Sequence, residues 1–409
     1  MRICFISRRF FPAISGMSVY AANLLRELIE GGHDVTLVSQ YRDDPEGRGV
    51  YGGGPPPEVP GARVIGLEAR GERDGGDFER DVEEMVETVV AEHDREPFDV
   101  IHAQYGYPTG LAALKASAKT GAPNAVSIQG GDGHWVGSCC ATHDRAMKAV
   151  LNHAGALLIG SRSFAEEVRD NHGVPPESFT VIPGAVDTRR FRPIDEGRVG
   201  ELSAEQTLLY HGRVDARKGI LDLLHALRIL AGRGVRPRLV VSGIGPDVQA
   251  AKDLASDLGL DDRVLFSGYA PYEKTPEVYR EGDVFVSPTH AEGFSNTILE
   301  AMATGLPVVS TRAVGVVDCL SDGEDALLCE PGDAEALADA IQRMLADYGM
   351  RRALARAALT EAREIYSWPA IAARIEEVYR SLVDTSPDAG WSLDETIEPC
   401  RFRGVPHLL

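Results

Sequence analysis

One strand-like run is followed by a loop that is rich in positive charge. The run 207–213 ends in Arg213, and Lys218 follows shortly before a helical stretch. Guanidinium and ammonium groups at the end of a buried strand are suited to hold a diphosphate. A solvated turn with helix-flanking charges would give the same pattern for either residue alone, so both interpretations stay open.

The stretch 287–312 places acidic residues and potential amide donors at another strand end. Glu292 lies in a strand-to-helix loop, and Glu300 follows it by eight residues. Residues 294–296 can expose backbone N–H groups at the helix start, which favours an anion. If the helix begins near Thr297, Glu300 lies one turn inside it and can accept hydrogen bonds from a diol. Alternatively, Thr297 and Glu300 fit a capping box.

A third candidate anion site follows the first strand-like run. Gly16 stands just before a helix and can let a ligand approach the backbone there, or it can simply turn the chain. The dinucleotide motif G-x-G-x-x-G is absent. With a net charge of −20, the protein needs such local positive sites to bind a polyanion, and binding to nucleic acid or anionic lipid over a broad face is disfavoured.

An alternation of strands and helices positions these loops. Short apolar runs without strict alternation predict strands buried on both faces of parallel sheets. The stretches between them have apolar positions three or four residues apart, as crossover helices do, so the fold class is doubly wound α/β. The predicted strands are 2–7, 34–40, 62–67, 98–104, 124–130, 155–161, 179–184, 207–213, 238–243, 263–268, 283–288, 307–312 and 325–330, and the predicted helices include 18–30, 78–95, 218–231, 333–347 and 351–366.

The chain is expected to form two domains, because this many strands exceed one comfortable open sheet. The pattern breaks at 185–205, which divides the chain into two Rossmann-like halves, 1–190 and 200–366. The predicted irregular segments are mobile polar loops at 41–61 and 70–77 and a tail or wrapping arm at 384–409.

Composition narrows the class of protein further. With 44% hydrophobic and 25% charged residues, the 409-residue chain is globular. No apolar run approaches the roughly 18–20 residues of a membrane span, and the N-terminus lacks the pattern of a signal peptide. Six sparse, irregularly spaced cysteines indicate reduced thiols. These features predict a cytoplasmic protein, with peripheral attachment to a membrane left open.

The motifs together resemble glycosyltransferase family 4, the group 1 glycosyl transferases. The resemblance covers roughly residues 1–380 and is most specific in the C-terminal half. It implies a GT-B fold, in which two Rossmann-like doubly wound domains face a central cleft. It also implies a metal-independent, retaining transfer of a sugar from a nucleotide-diphosphate sugar to a hydroxyl acceptor. The supporting motifs are GR-x(4)-KG at 212–219, SGIGP at 242–246 and EGFSNTILEAMATGLPVV at 292–309.

The resemblance also implies roles for individual positions. The donor would lie on the second half and the acceptor on the first, with helix 368–383 crossing back to the first domain. Arg213 and Lys218 match the pair that grips the diphosphate, Glu292 matches the carboxylate on the donor-sugar hydroxyls, and Glu300 matches the ribose-binding acid. The other donor-site positions are the phosphate contacts Gly16, Gly293, Phe294, Ser295 and Asn296 and the base contacts Gly268 and Tyr269.

Departures from the family concentrate in the first half. The motif His-Gly-Thr-Asp reads Gln129-Gly-Gly-Asp132 here, and Met17 replaces the second glycine of the first loop. In the loop that follows, Trp135 can stack on a sugar ring and His134 can hydrogen-bond it. The candidate contacts to the acceptor or the donor sugar are His102, Gln129, Asp132, His134 and Trp135.

The loop 131–143 also holds residue types that bind metals. Cys140 and His143, beside Cys139, have tolerable spacing for zinc, but no second ligand pair at finger-like spacing follows. We therefore predict no metal site. The chain also lacks a D-x-D motif, so no metal-dependent diphosphate site is expected, and no cofactor beyond the nucleotide sugar.

Two other functions fit the same architecture. One is a sugar phosphorylase or a nucleotide-sugar epimerase, and the other is a nucleotide-sugar-binding regulator without catalysis, supported only by Gln129. The partners expected for a transferase are a nucleotide-sugar donor and a carbohydrate, lipid-linked or small-molecule hydroxyl acceptor. The donor base, the acceptor and the oligomeric state remain open.

Overall fold

The chain folds into two compact α/β units. The structure is a computed structural model that describes residues 1–13, 15–42 and 53–404. The first unit comprises Met1–Pro183 and Ile371–Leu409, and the second comprises Gly184–Ala370. The first unit thus ends at Pro183, before the expected boundary at residue 190, and it includes the C-terminal segment.

The first unit contains one seven-stranded sheet whose paired strands are all parallel. Its strands are β1 (Arg2–Ser7), β2 (Asp34–Tyr41), β3 (Ala62–Glu68), β4 (Val100–Gln104), β5 (Asn124–Ile128), β6 (Ala156–Ile159) and β7 (Phe179–Val181). Its first helices are α1 (Gly16–Glu30), α2 (Arg70–Arg73), α3 (Phe78–Arg95), α4 (Leu111–Thr120), α5 (Gly131–His134), α6 (Ala141–His153) and α7 (Arg162–His172). The strand order is β3-β2-β1-β4-β5-β6-β7.

The second unit repeats this plan with a six-stranded parallel sheet. Its strands are β8 (Thr207–His211), β9 (Arg238–Ser242), β10 (Val264–Gly268), β11 (Val284–Ser287), β12 (Val308–Thr311) and β13 (Ala326–Cys329). Its helices are α8 (Ile220–Gly232), α9 (Val248–Asp257), α10 (Thr275–Arg280), α11 (Asn296–Thr304), α12 (Ala334–Ala346) and α13 (Tyr348–Glu364). The strand order is β10-β9-β8-β11-β12-β13.

The C-terminal segment continues through α14 (Trp368–Leu382), close to the predicted helix 368–383, and ends in the short α15 (Arg401–Gly404). Phe402 is only 2% exposed, and Arg403 donates to both carboxylate oxygens of Glu79 on α3 at 2.7 and 2.8 Å. Residues 384–404 therefore form an arm that packs on the first unit. None of the described helices combines the length and the apolar character needed to cross a membrane.

The strand prediction is confirmed at every one of its thirteen positions. Strands inside the sheets, such as β4 and β5, are buried at all five positions, which explains their near-continuous apolar runs. The edge strands β3 and β10 are only partly buried, because one of their sides has no neighbouring strand. Burial on both faces thus accounts for the apolar runs from which the strands were predicted.

The predicted mobile loop at 70–77 is wrong. Residues 70–73 form α2, whose Gly71 and Glu72 are buried, and the Asp81 carboxylate accepts hydrogen bonds from both of their backbone N–H groups at 2.7 Å. The Glu72 carboxylate in turn accepts from Arg8 at 3.2 Å and from Arg42. Polar composition suggested a loop because the sequence does not show these partners. In the other predicted loop, residues 43–52 lie outside the described part of the chain.

The buried ion pairs of Glu72 give a test of stability. Removing one partner of a buried pair is expected to lower the free energy of unfolding by about 3–5 kcal/mol, so Glu72→Ala should be strongly destabilising in a urea titration. Glu68→Ala is the matched control, since Glu68 pairs with Arg70 at the exposed surface and such pairs contribute little. Equal stability of the two variants would contradict a structural role for Glu72.

Candidate active site

The second sheet reverses its order between β8 and β11. From β8 it continues through β9 to β10, and from β11 it continues through β12 to β13 in the other direction. Ligands of doubly wound sheets bind beyond the carboxyl ends of the strands at such a reversal. The loops after β8 and β11 carry Arg213, Lys218 and Glu292, so the three residues predicted to hold the diphosphate and the donor sugar follow the two strands at the reversal.

The loop after β8 is organised around Asp215. Arg217 donates to both oxygens of this carboxylate at 3.1 and 2.8 Å, and Nε of Arg213 lies 3.3 Å from Oδ2. The hydrogen bonds from Arg217 hold the pKa of Asp215 at about 2. The carboxylate is therefore charged at neutral pH and holds Arg213 in place. We did not single out Asp215 from the sequence, although its position between two predicted phosphate-binding cations was a usable signal.

Lys218 and Glu292 form a direct ion pair across the reversal. Nζ of Lys218 lies 2.8 Å from Oε1 of Glu292 and donates to the backbone carbonyl of Ala291 at 3.2 Å. The Lys218 side chain is 30% exposed and that of Glu292 is 21% exposed. An ammonium group and a carboxylate thus stand side by side, and both are accessible to a ligand.

Two glycines let the loops approach closely enough for this contact. Gly219 has φ +73°, and a Cβ there would lie 1.8 Å from the carbonyl oxygen of Pro288. Gly315 has φ +77°, and a Cβ there would lie 2.2 Å from the carbonyl oxygen of Glu292. Only glycine combines this backbone conformation with such close contact. The loops after β8, β11 and β12 are therefore packed backbone to backbone around the ion pair.

The helix α11 begins four residues beyond Glu292. Its N-cap residue, Ser295, makes no side-chain capping bond, so the first-turn N–H groups remain available to an anion. Oδ1 of Asn296 is buried and has no hydrogen-bond partner in the described part of the chain. Phe294 packs against Tyr366 with ring centroids 5.8 Å apart. The four residues Gly293, Phe294, Ser295 and Asn296 form one continuous turn into the helix.

The Glu300 carboxylate accepts a hydrogen bond from a tyrosine and does not cap the helix. The hydroxyl of Tyr279 on α10 donates to Oε2 of Glu300 at 2.7 Å. The capping-box alternative is wrong, since α11 begins at Asn296 with Ser295 as its N-cap. Burial raises the pKa of Glu300 to about 7, against the opposing effects of the Tyr279 bond and of Arg190. Tyr279 could not be found from the sequence, because no motif ties it to Glu300.

The two residues predicted to contact a base lie at the end of β10. Gly268 has φ +75°, and its carbonyl accepts a hydrogen bond from the N–H of Gly243 at 2.8 Å. Tyr269, the next residue, is 46% exposed. They lie two strands away from β8 in the sheet, so a ligand that reaches them from Lys218 must extend across the ends of β8, β9 and β10.

In the first unit, the sheet reverses between β1 and β4, and Gly16 is the first residue of the helix after β1. Among the described residues, a Cβ at Gly16 would meet no atom within 4 Å. The side-chain amide of Gln104 donates to the carbonyl of Met17 at 3.0 Å and to Oε1 of Gln129 at 2.8 Å. Gln129 therefore belongs to an amide network across the ends of β4 and β5.

Two of the residues predicted to contact a ligand, His102 and Asp132, are buried inside the first unit. Both ring nitrogens of His102 are engaged, with the Tyr379 hydroxyl at 2.5 Å and the Ser127 hydroxyl at 2.7 Å, and the residue is fully buried. Asp132 is also fully buried, and its carboxylate accepts hydrogen bonds from the backbone N–H groups of Gly106, Gln129 and Gly130. The polar atoms of His102 and Asp132 thus already have partners inside the protein, and the expectation that these residues contact a ligand stays a prediction.

His134 and Trp135 are partly exposed but contact other side chains. Nδ1 of His134 lies 2.7 Å from a carboxylate oxygen of Glu167. Its ring stacks on Trp135 at 5.7 Å and contacts Phe164 at 4.6 Å. One face of Trp135 is thus covered by His134, and the stacking of Trp135 on an acceptor stays a prediction.

Comparison with known proteins agrees with this architecture. A family model described as "Glycosyl transferases group 1" matches residues 192–360, and one described as "Glycosyl transferase 4-like domain" matches residues 15–185. The chain is 29% identical to the MMP alpha-(1->4)-mannosyltransferase of Mycolicibacterium hassiacum, over 94% of this chain and 98% of the relative. It is 30% identical to the D-inositol 3-phosphate glycosyltransferase of Acidothermus cellulolyticus, over 89% and 85%.

Solved structures share the fold over almost the whole chain. Sucrose-phosphate synthase from Thermosynechococcus elongatus has a TM-score of 0.77 at 24% identity, covering 93% of this chain and 98% of its own. Anabaena HepE, solved in complex with UDP, has a TM-score of 0.72 at 18% identity, covering 93% and 100%. The protein belongs to the group 1 glycosyltransferases of family 4. It is a glycosyltransferase with a GT-B fold, as its sequence motifs predicted.

The close packing at Gly219 can be tested against a glycine that lacks it. Gly219→Ala should lower both the free energy of unfolding and the rate of sugar transfer, because the new Cβ meets the carbonyl of Pro288. Gly259→Ala is the control, since Gly259 has φ +68° and open space around it, so it shows only the conformational cost of about 1–2 kcal/mol. Equal effects on urea unfolding and activity would contradict the packing argument.

Proposed function

We propose that the protein transfers a sugar from a nucleotide-diphosphate sugar to a hydroxyl acceptor, with retention of configuration and without a metal ion at the diphosphate. The ion pair of Lys218 and Glu292 at the sheet reversal carries this proposal. An ammonium group suits phosphate oxygens, and a carboxylate suits sugar hydroxyls. In such a donor the phosphate is joined to the sugar at the anomeric carbon, so phosphate oxygens and sugar hydroxyls lie close together. Two side chains that are 2.8 Å apart can therefore contact both.

The positive groups act on the leaving diphosphate. As the bond between the anomeric carbon and the phosphate oxygen breaks, negative charge builds up on the diphosphate. Arg213, Lys218 and the first-turn N–H groups of α11 stabilise this charge without reorganising, and such stabilisation is usually the largest contribution to catalysis. The local positive field also lets a protein of net charge −20 bind a polyanion.

Glu300 holds the ribose in this proposal. An ionised carboxylate has about four acceptor positions, of which the Tyr279 hydroxyl takes one. The remaining positions can receive both hydroxyls of a ribose diol. Gly268 and Tyr269 then lie toward the base, and the amides of Gly293–Asn296 lie toward the phosphates.

The solved neighbours support a nucleotide-sugar donor. Structures of HepE contain UDP, UDP with glucose, and UDP-glucose. For the acceptor, the first unit offers the partly exposed Gln129, His134 and Trp135. We propose a hydroxyl of a sugar or polyol as the acceptor, since aromatic and amide side chains suit such a ligand.

Two measurements test the stereochemistry and the absence of a catalytic metal. Proton NMR of the fresh product reports the configuration at the new glycosidic bond, and inversion relative to the donor would overturn the retaining mechanism. Transfer should also proceed at an unchanged rate when EDTA is added to the assay. Rapid loss of activity in EDTA, restored by Mg²⁺ or Mn²⁺, would contradict a metal-independent diphosphate site.

The donor-site assignment predicts a kinetic effect at the two cations. Lys218→Ala or Arg213→Ala should lower kcat/KM for transfer by about 10²–10³-fold, or about 3–4 kcal/mol, the scale of losing one preorganised charge-stabilising donor. Lys252→Ala on the exposed side of α9 removes an equal charge outside the site and should leave kcat/KM unchanged. Unaltered turnover in both site variants would remove the assignment.

The raised pKa of Glu300 predicts that nucleotide binding depends on pH. Only the ionised carboxylate can accept from both hydroxyls of a diol, and protonation removes acceptor capacity, so affinity falls as the pH drops below about 7. If only protein with an ionised Glu300 binds UDP, the ionised fraction of Glu300 falls about tenfold from pH 8 to pH 6. Calorimetry with UDP as the probe should therefore show Kd rising by about that factor.

A variant with a neutral side chain at residue 300 distinguishes the titration of Glu300 from that of UDP. UDP itself gains a proton near pH 6, and Glu300→Gln keeps that contribution while removing the carboxylate. We expect weaker binding by Glu300→Gln at pH 8 and a flatter pH profile than in the parent protein. Identical profiles for the two proteins would show that Glu300 does not contact the nucleotide.

A further inference from the structure

Four metal-binding side chains from two distant segments converge in the first unit. The ligand atoms of Cys139, Cys140, His143 and Cys400 all lie within 4.8 Å of one another. We propose that this Cys3His cluster is a structural Zn²⁺ site that fastens the arm formed by residues 384–404 to the first unit. The fourth ligand was not found from the sequence, because Cys400 lies 257 residues from His143.

The distances are close to those of a metal site. Sγ of Cys139 lies 3.1 Å from Nδ1 of His143, and Sγ of Cys400 lies 3.8 Å from the same nitrogen. With Zn–S bonds of about 2.3 Å and a Zn–N bond of about 2.0 Å, the ligand atoms of a tetrahedral site lie about 3.5–3.8 Å apart. Zinc therefore requires shifts of about 1 Å or less in side chains that already face one another.

The ligand types select the metal. Three sulfurs and one imidazole form one of the common sets in structural zinc sites, whereas Mg²⁺ and Ca²⁺ prefer oxygen. All four positions would be filled by the protein, and a closed site of this kind is structural and does not activate water. None of the four ligands is among the residues proposed to bind the donor.

Three of the ligands lie at the N-terminus of α6: Cys139 and Cys140 precede the helix, and His143 lies in its first turn. Cys140 is the N-cap of this helix, and its Sγ accepts a hydrogen bond from the N–H of His143 at 3.5 Å. The His143 ring is held between aromatic groups, 4.7 Å from Tyr107 and 5.6 Å from Phe78. These contacts restrict the orientation of the ring that carries Nδ1.

A metal ion would help to hold the arm on the first unit, because most of the arm has no regular secondary structure. Residues 385–400 contain no helix or strand, so no backbone ladder holds them. Their other contacts include hydrogen bonds of Thr142 with Thr396 and Glu398 at 3.1 and 2.8 Å. Such bonds contribute modestly, while ordering each residue costs about 1–2 kcal/mol of backbone entropy. A zinc ion that joins Cys400 to the start of α6 adds binding energy that appears only in the folded state.

Metal analysis of the purified protein tests the site directly. The protein is purified under reducing conditions without a metal-affinity column and analysed by inductively coupled plasma mass spectrometry. We expect about one zinc per chain, and replacement by Co²⁺ should give the charge-transfer absorption of cobalt–thiolate bonds. Failure of the reduced protein to retain or bind zinc would overturn the proposal. So would a disulfide between Cys400 and Cys139 or Cys140 in freshly prepared protein.

A matched pair of cysteine variants then locates the metal. Cys400→Ala should raise the Kd for Zn²⁺ by more than about 100-fold, beyond the effect of losing a second-shell group. It should also speed tryptic cleavage in the arm, where Arg401 is exposed. Cys329→Ala removes a buried cysteine of β13 and should keep the zinc and the protease resistance. Full zinc affinity in Cys400→Ala would overturn the proposal.

Discussion

The structure depends on the contact between neighbouring loops at the carboxyl ends of parallel strands. In the second sheet, β8 and β11 pair directly, so their loops lie side by side although more than seventy residues separate Lys218 from Glu292. The contact needs Gly219 and Gly315, because side chains there would strike backbone oxygens. Sheet topology thus decides which loops meet, and the glycines decide how closely they meet.

Charge is distributed in keeping with this geometry. The chain carries 62 acidic and 42 basic residues, yet Arg213, Lys218 and the N-terminus of α11 follow the two strands at the reversal. Asp215 is acidic, but its carboxylate contacts both Arg213 and Arg217 and so holds Arg213 in place. Net charge alone would have argued against a polyanionic substrate, whereas the arrangement of a few side chains argues for one.

The fold was largely predictable from the sequence, and the site only in part. Burial on both faces leaves an apolar run at each strand, so all thirteen strands could be located. Arg213, Lys218 and Glu292 could be predicted as candidates because strand ends are where ligands bind, and the structure places them after the two strands at the reversal. Partners that depend on tertiary contacts were not visible: Tyr279 bonds Glu300 from a different helix, and Cys400 meets His143 from the far end of the chain.

Residue type at a strand end does not show how many hydrogen bonds a side chain already makes inside the protein, and the candidate residues differ in this respect. His102 has a partner on each ring nitrogen, and Asp132 accepts from three backbone N–H groups. Their hydrogen-bonding capacity is used inside the protein. Glu300 receives one hydroxyl in the described structure, and Asn296 retains a buried oxygen without a partner. Buried polar atoms with unused capacity are costly unless something binds them, and we propose that a substrate supplies the missing bonds at Glu300 and Asn296.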